Sequence, residues 1–235
     1  MQWAKDKGYT IVKTGSEGEY GGIGSQTPMN TGKPKFVEMP VCGITWRDAM
    51  VWCNALSEMC GLTPVYCTDS NFKTPIRNSK GTEFGDLKNY ALTPGEVDNP
   101  YVNKGANGFR LPYVEEWEYA ARAGNLDSDL PIYSGTNDET LLGEYAWISS
   151  NSDKTTHEVG KKKPNAWNLY DMNGNVAEMC WNWYTTVIYY LEGQEGGTNP
   201  TGQNQTGGLN KRARRGDTFQ SILEKVTDYS AQYPY

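Results

Sequence analysis

The sequence predicts an α+β fold, with two main helices packed on an irregular antiparallel sheet and loops filling much of the rest. Three observations carry this. Two stretches place apolar residues at helical spacing between recognisable caps. The strand-like stretches are short and scattered. The 235 residues include 26 Gly and 12 Pro beside 8 Trp, 16 Tyr and 5 Phe. Turns are therefore frequent, and the core rests on aromatic rings. Such aromatic content also argues against disorder.

The elements follow in chain order. Met1 to Lys7 reads as an amphipathic helix end stopped by Gly8, not as a signal peptide. The clearest helix is Thr45 to Cys60, "TWRDAMVWCNALSEMC". Thr45 is a good N-cap, and Asp48 at the third helical position approximates a capping box. Ala49, Trp52, Cys53, Leu56, Met59 and Cys60 mark its expected apolar face, with Cys53 and Cys60 as core thiols. Gly61 ends it, and Leu62 to Thr68 reads as a short strand.

Residues 71–108 are polar and rich in Gly, Asn and Pro, which fits a loop insertion. The second helix is Tyr113 to Arg122, introduced by Pro112 and closed by Gly124. Its expected apolar face is Val114, Trp117, Ala120 and Ala121. Residues 124–144 read as loop. Short β-like pieces follow at Tyr145–Ile148, Glu158–Val159, Asn175–Tyr184 and Val187–Leu191. Residues 192–209, "EGQEGGTNPTGQNQTGGL", read as an exposed loop. No internal repeat and no linker divides the chain, so one domain over 1–235 is expected.

Composition excludes several functions. Net charge is -6, whereas a nucleic-acid binder shows a basic domain. The basic runs 161–163 and 211–215 read as solvated surface or structural ion pairs. No stretch approaches the roughly 18 apolar residues of a membrane span. The cysteines are Cys42, Cys53, Cys60, Cys67 and Cys180. Five is odd and no CxxC occurs, so neither a dense disulfide framework nor a zinc site is expected.

There is one histidine, His157. A multi-histidine metal centre is therefore impossible within the chain, and no nucleophile elbow accompanies it. It reads as a surface or satisfied structural histidine. No phosphate loop occurs either; "GGIG" at 21–24 lacks the strand-to-helix context.

"LYDMNGNVAEMCWNWY", residues 169–184, is the densest motif. "DMNG" suits a type I turn, and the alternation after it is strand-like. Two readings stand: a strand leaving a turn, or a calcium loop. In the second, Gly174 folds Asp171 and Glu178 towards one point together with intervening carbonyls. Calcium takes about six to eight oxygen ligands of these kinds. The pattern is not that of an EF-hand.

A resemblance enters through four blocks: "PVCGITWRDAMVWCNALSEMCGLTPVY" (40–66), "GFRLPYVEEWEYAARAG" (108–124), "EVGKKKPNAWNLYDMNGNVAEMCWNWY" (158–184) and "RARRGDTF" (212–219). In order and spacing they resemble the formylglycine-generating-enzyme, or sulfatase-modifying-factor, domain family. The resemblance implies a decorated C-type-lectin-like fold. It also implies a structural calcium held by the side chains of Asp171 and Glu178 and the carbonyls of Gly174 and Val176. A second calcium loop of the oxidising enzymes has no counterpart between Trp147 and Gly160. The family often has Trp where this chain has Ala177. Its members usually start earlier and end on a later strand, so the chain is expected to be clipped at both ends.

The oxidising enzymes of this family work through two cysteines that follow a block matching Arg215 to Phe219. The corresponding positions here are Ser221 and Val226, and no soft thiolate for Cu(I) exists there. Sulfoxide synthases with a related domain need several histidines. The expectation is therefore a non-enzyme: a ligand-binding, receptor- or adhesin-like protein. It is similar to the variable proteins of bacterial diversity-generating retroelements. Residues 210–235 would form the variable recognition face, with Trp183, Asp217, Phe219, Ser221, Ile222, Glu224, Asp228, Tyr229, Tyr233 and Tyr235 in contact with a protein or surface ligand. Tyr flanked by small polar residues suits such contacts. The EPN, QPD and WND motifs of sugar-binding lectins are absent. The alternatives are an active cysteine-oxidising enzyme and a purely structural, calcium-stabilised member. Display outside the cytoplasm, on a cell surface through a segment absent from this chain, completes the expectation.

Overall fold

The computed structural model describes residues 2–13, 15–17, 38–81, 93–125, 133–183, 212–219 and 230–232. Helix α1 (Gln2–Asp6) is followed by Gly8 at φ 78°. Strands β1 (Ser16–Glu17) and β2 (Val41–Cys42) pair antiparallel. Helix α2 spans Trp46–Met59. Strands β3 (Tyr66–Cys67) and β4 (Tyr101–Val102) form a second antiparallel pair. Helix α3 spans Val114–Ala121. A 3₁₀ turn at Glu139–Leu141 leads into the short helix α4, Leu142–Tyr145. Strands β5 (Glu178–Trp183), β6 (Arg212–Arg215) and β7 (Ser230–Gln232) form an antiparallel sheet with β6 in the middle.

The capping box of α2 is present as predicted. The Thr45 side chain accepts from the Asp48 amide, and the Asp48 carboxylate accepts from the Thr45 amide at 2.9 Å. Buried Asp48 also accepts from Ser79 Oγ at 2.6 Å, tying the helix start to a distant loop. The buried face of α2 differs from the predicted one. Trp46, Met50, Val51, Cys53, Asn54, Ala55 and Ser57 face inward, while Trp52, Met59 and Cys60 are exposed. Polar residues caused the shift. Asn54 is buried because its Nδ2 donates to the Tyr66 and Ile76 carbonyls at 2.7 and 3.0 Å. Apolar periodicity alone does not register such a residue. Of the two expected core thiols only Cys53 is buried.

The largest core lies between α2 and the β5–β6 edge. Tyr66 stacks on Trp181 with centroids 4.8 Å apart, and Trp181 leans on Trp46 at 5.0 Å. The Arg212 guanidinium sits 3.8 Å over Trp46 and 3.6 Å over Trp183. It donates to the Trp181 and Asp98 carbonyls, both at 2.8 Å. Burial pulls the Arg212 guanidinium down to about 9, with the Asp98 charge opposing. Asp98 itself is buried in a two-bonded ion pair with Arg47.

A second core joins α3 to the three-stranded sheet through Val114, Trp117, Ala121, Met172, Cys180 and Ala213. Ala120, expected on this face, is only partly buried. A third core, around Tyr133, Leu142, Ala146 and Ile148, belongs to a region read from sequence as loop followed by strand. Its short helical turns carry too few residues to show a period. Of the β-like pieces, 178–183 is strand, while Tyr145 closes α4. Residues 187–191 and 192–209 lie outside the described residues. No helix among the described residues is long and apolar enough to cross a membrane.

Candidate functional site

The motif at 169–184 folds as a loop feeding β5. Asp171, Gly174 and Asn175 all adopt left-handed backbone, at φ 55°, 73° and 56°. Glycine is required at 174. Its backbone bridges Trp147, and a Cβ there would collide with the Trp147 carbonyl. Asn tolerates this conformation better than most residues. Residues 172 and 173 form a bend rather than a hydrogen-bonded turn, since the Gly174 amide donates to Gly216, and the strand that follows starts at Glu178.

The expected metal ligands are arranged as follows. Asp171 Oδ2 accepts from the Gly160 amide at 2.7 Å. Glu178 Oε2 accepts from the Trp117 indole at 2.5 Å. Burial pushes the Glu178 carboxyl up to about 7; the Trp117 hydrogen bond opposes this, and the Asp171 charge adds to it. Among the described residues, no hydrogen bond ends on the Gly174 or Val176 carbonyl. No cluster of three or more His, Cys, Asp or Glu that could hold a metal exists among them. Two carboxylates with main-chain oxygens would be a hard-cation donor set.

The same loop grips the start of the C-terminal segment. The Gly174 amide donates to the Gly216 carbonyl at 2.6 Å, and the Phe219 amide donates to the Asn175 carbonyl at 3.0 Å. Ser152 Oγ donates to the Phe219 carbonyl at 2.8 Å. Gly216 (φ 85°) and Asp217 (φ 60°) turn the chain out of β6. Sequence reasoning passed over Asn175, Ser152 and His157 as parts of this junction. The signal for Asn175 was present: an Asn directly after a turn Gly is suited to a second left-handed residue.

His157 is half-buried and satisfied. Its Nε2 bonds the Ser152 carbonyl at 2.8 Å, so that nitrogen carries the proton. Its ring stacks on Trp147 at 3.7 Å, and Lys162 Nζ lies 3.8 Å over Trp147. Burial lowers the Lys162 ammonium. This histidine is structural, as its sequence context implied.

Of the expected ligand contacts, Trp183, Asp217 and Phe219 are described and each is half-buried. Trp183 has Arg212 against its ring. Phe219 is held through its backbone. Ser221, Ile222, Glu224, Asp228, Tyr229, Tyr233 and Tyr235 lie outside the described residues. None of the five cysteines is in a disulfide. The Cys180 thiol, the last in the chain, is pushed up to about 12 by burial.

Comparison with known proteins follows the same line. Residues 1–231 match the profile of the sulfatase-modifying factor enzyme 1-like domain. The chaperone protein LppX of Paenibacillus barcinonensis is 35% identical over 165 residues, 64% of this chain and 54% of that protein. The formylglycine-generating enzyme of Thermomonospora curvata is 29% identical over 123 residues, 48% of this chain and 39% of the enzyme. The chain thus spans about half the length, or less, of these relatives. Among solved structures, Treponema denticola variable protein 1 superposes with a TM-score of 0.64 at 33% identity, covering 87% of this chain and 69% of its own. CarF superposes with a TM-score of 0.68 at 25% identity, covering 99% and 74%.

Proposed function

Because the chain belongs to the sulfatase-modifying factor enzyme 1-like domain family, we propose that it is a non-catalytic member that binds a protein or surface ligand through residues 210–235. The α+β, C-type-lectin-like fold of its structural neighbours agrees with the predicted class. The observation that carries the proposal is the likeness to Treponema denticola variable protein 1 over 87% of the chain. The sequence adds a second support, since Ser221 and Val226 stand where the family's oxidising enzymes have thiols.

The test is capture of partners by the chain and by a variant with 217–235 scrambled. Loss of specific partners in the variant is expected. Identical capture by both would sink the reading. A second reading, cysteine oxidation, is favoured by the likeness to formylglycine-generating enzymes. It requires copper-dependent turnover of a cysteine-containing peptide, and none is expected. We place the protein outside the cytoplasm; labelling of intact cells with an impermeant reagent tests this.

Calcium is part of the same proposal. The side chains of Asp171 and Glu178 and the free carbonyls of Gly174 and Val176 fit a hard cation. When bound, the ion would neutralise two facing carboxylates and hold the loop in its left-handed turns. Calcium should raise the melting temperature, because it binds the folded state preferentially. Calorimetry showing no shift in millimolar calcium would remove the metal from the proposal.

A further inference from the structure

We infer that Ser152 and Asn175 are positioning residues that set where the recognition segment leaves the scaffold; this rests on the reading of 210–235 as the ligand face. Phe219 is the last described residue before 220–229, and it is gripped at both ends of its peptide unit. Its amide donates to the Asn175 carbonyl, and its carbonyl accepts from Ser152 Oγ. Both gripping residues are fully buried, with no exposed surface.

Each is fixed in turn by the rest of the loop system. The Asn175 amide donates to the Trp147 carbonyl at 2.8 Å. Its side chain bonds His157 twice: Oδ1 accepts from the His157 amide at 3.0 Å, and Nδ2 donates to the His157 carbonyl at 3.1 Å. The Ser152 carbonyl is held by the His157 ring. Three loops, 147–157, 171–175 and 216–219, are therefore joined to one another by hydrogen bonds.

The Ser152 hydroxyl is the informative group. The turn that contains it is closed by bonds other than the Ser152 hydroxyl: the Asn151 and Ser152 amides both donate to the Ile148 carbonyl, the Ile148 amide donates to Asn151 Oδ1, and the Thr155 amide donates to the Ser152 carbonyl. The local fold does not need the hydroxyl. Its one donated bond goes to a carbonyl 67 residues away, at the doorstep of the proposed ligand face. A hydrogen bond at that place restricts the orientation of the Phe219 carbonyl. A preorganised launch point lowers the ordering cost of binding.

The experiment uses the full chain and Ser152→Ala, which removes that bond and leaves the backbone turn. Hydrogen exchange is followed in peptides covering 216–219 and in α2. The probe is a cyclic peptide selected from a random library on the wild-type chain and chosen for loss of binding when 217–235 is scrambled. Ser152→Ala should speed exchange at 216–219 and weaken the probe, each about fivefold, with α2 exchange unchanged. His157→Gln, which removes the ring's bond to the Ser152 carbonyl, should move both readouts in the same direction. Unchanged exchange at 216–219 in both variants would overturn the inference. So would faster exchange with unaltered probe affinity. Should no library peptide depend on 217–235, the recognition reading fails, and the inference that rests on it falls with it even if exchange at 216–219 responds.

Discussion

The two halves of the molecule are held in different ways. Around α2, rings and a buried arginine pack against one another: Tyr66, Trp181, Trp46, Arg212 and Trp183 form a continuous cluster. Around 147–178, order comes from hydrogen-bonded Asn side chains. Asn165 Nδ2 donates to the Ala120 and Ala121 carbonyls, Asn151 Nδ2 to those of Gly143 and Ala146, and Asn175 bridges to His157. Packing tolerates volume-conserving change, whereas a hydrogen-bonded loop depends on the identity of single atoms. The second half is therefore the one able to fix a surface segment in a defined direction without a helix or long strand.

Four substitutions sharpen this contrast. The largest effect is expected at Asp98→Ala, which leaves Arg47 buried without its carboxylate. Loss of one partner of a buried pair costs about 3–5 kcal/mol. Urea denaturation should show it, and a loss under 1 kcal/mol would place the strength of the α2 half elsewhere. Next comes Gly174→Ala, on the loop side. Left-handed strain costs about 1–3 kcal/mol, and the collision with the Trp147 carbonyl adds to it. The same denaturation measures it, and an effect no larger than for an exposed glycine such as Gly8 would contradict the close approach at 174.

Thr45→Ala removes a cap and should cost about 1 kcal/mol, visible as weakened amide protection in the first turn of α2. The smallest effect is at Glu116→Gln. Glu116 pairs with Arg110 at 2.6 Å and caps the Tyr113 amide at 2.9 Å. The Arg110 hydrogen bonds hold its carboxyl below the ordinary value of 4.5. A depressed carboxyl stabilises the fold above its unfolded pKa and loses that contribution as pH falls through the folded one. The wild type should therefore lose stability below about pH 4.5 more steeply than Glu116→Gln, in melting curves taken across that range. Coincident acid limbs would show the pair to be idle.

What could be read in the sequence follows the same division. The capped helices at 45–60 and 113–122 were legible, because caps and apolar periodicity are local signals. The buried face of α2 differs from the expected one, since Asn54 donates to the Tyr66 and Ile76 carbonyls and Ser57 Oγ accepts from the Phe109 amide, partners that lie outside the helix. The third core was missed for a related reason: its helical turns span three or four residues each. At the candidate site, the acids and the turn glycine of 171–178 stood out by type and spacing. Ser152 and His157 did not, because their importance lies in bonds to residues 18 to 67 positions away.

Strand β6 reads "RARR", the kind of run that invites comparison with phosphate-binding peptides. Yet Arg212 and Arg215 keep only 2% and 1% of their surface in contact with solvent. One guanidinium is caged by indoles, and the other reaches Glu118. An approaching polyanion would meet a molecule of net charge -6 in which Arg212 and Arg215 are turned inward. Here cationic side chains serve as mortar for the interior, and a count of basic residues along the chain overstates the charge that any visitor could feel.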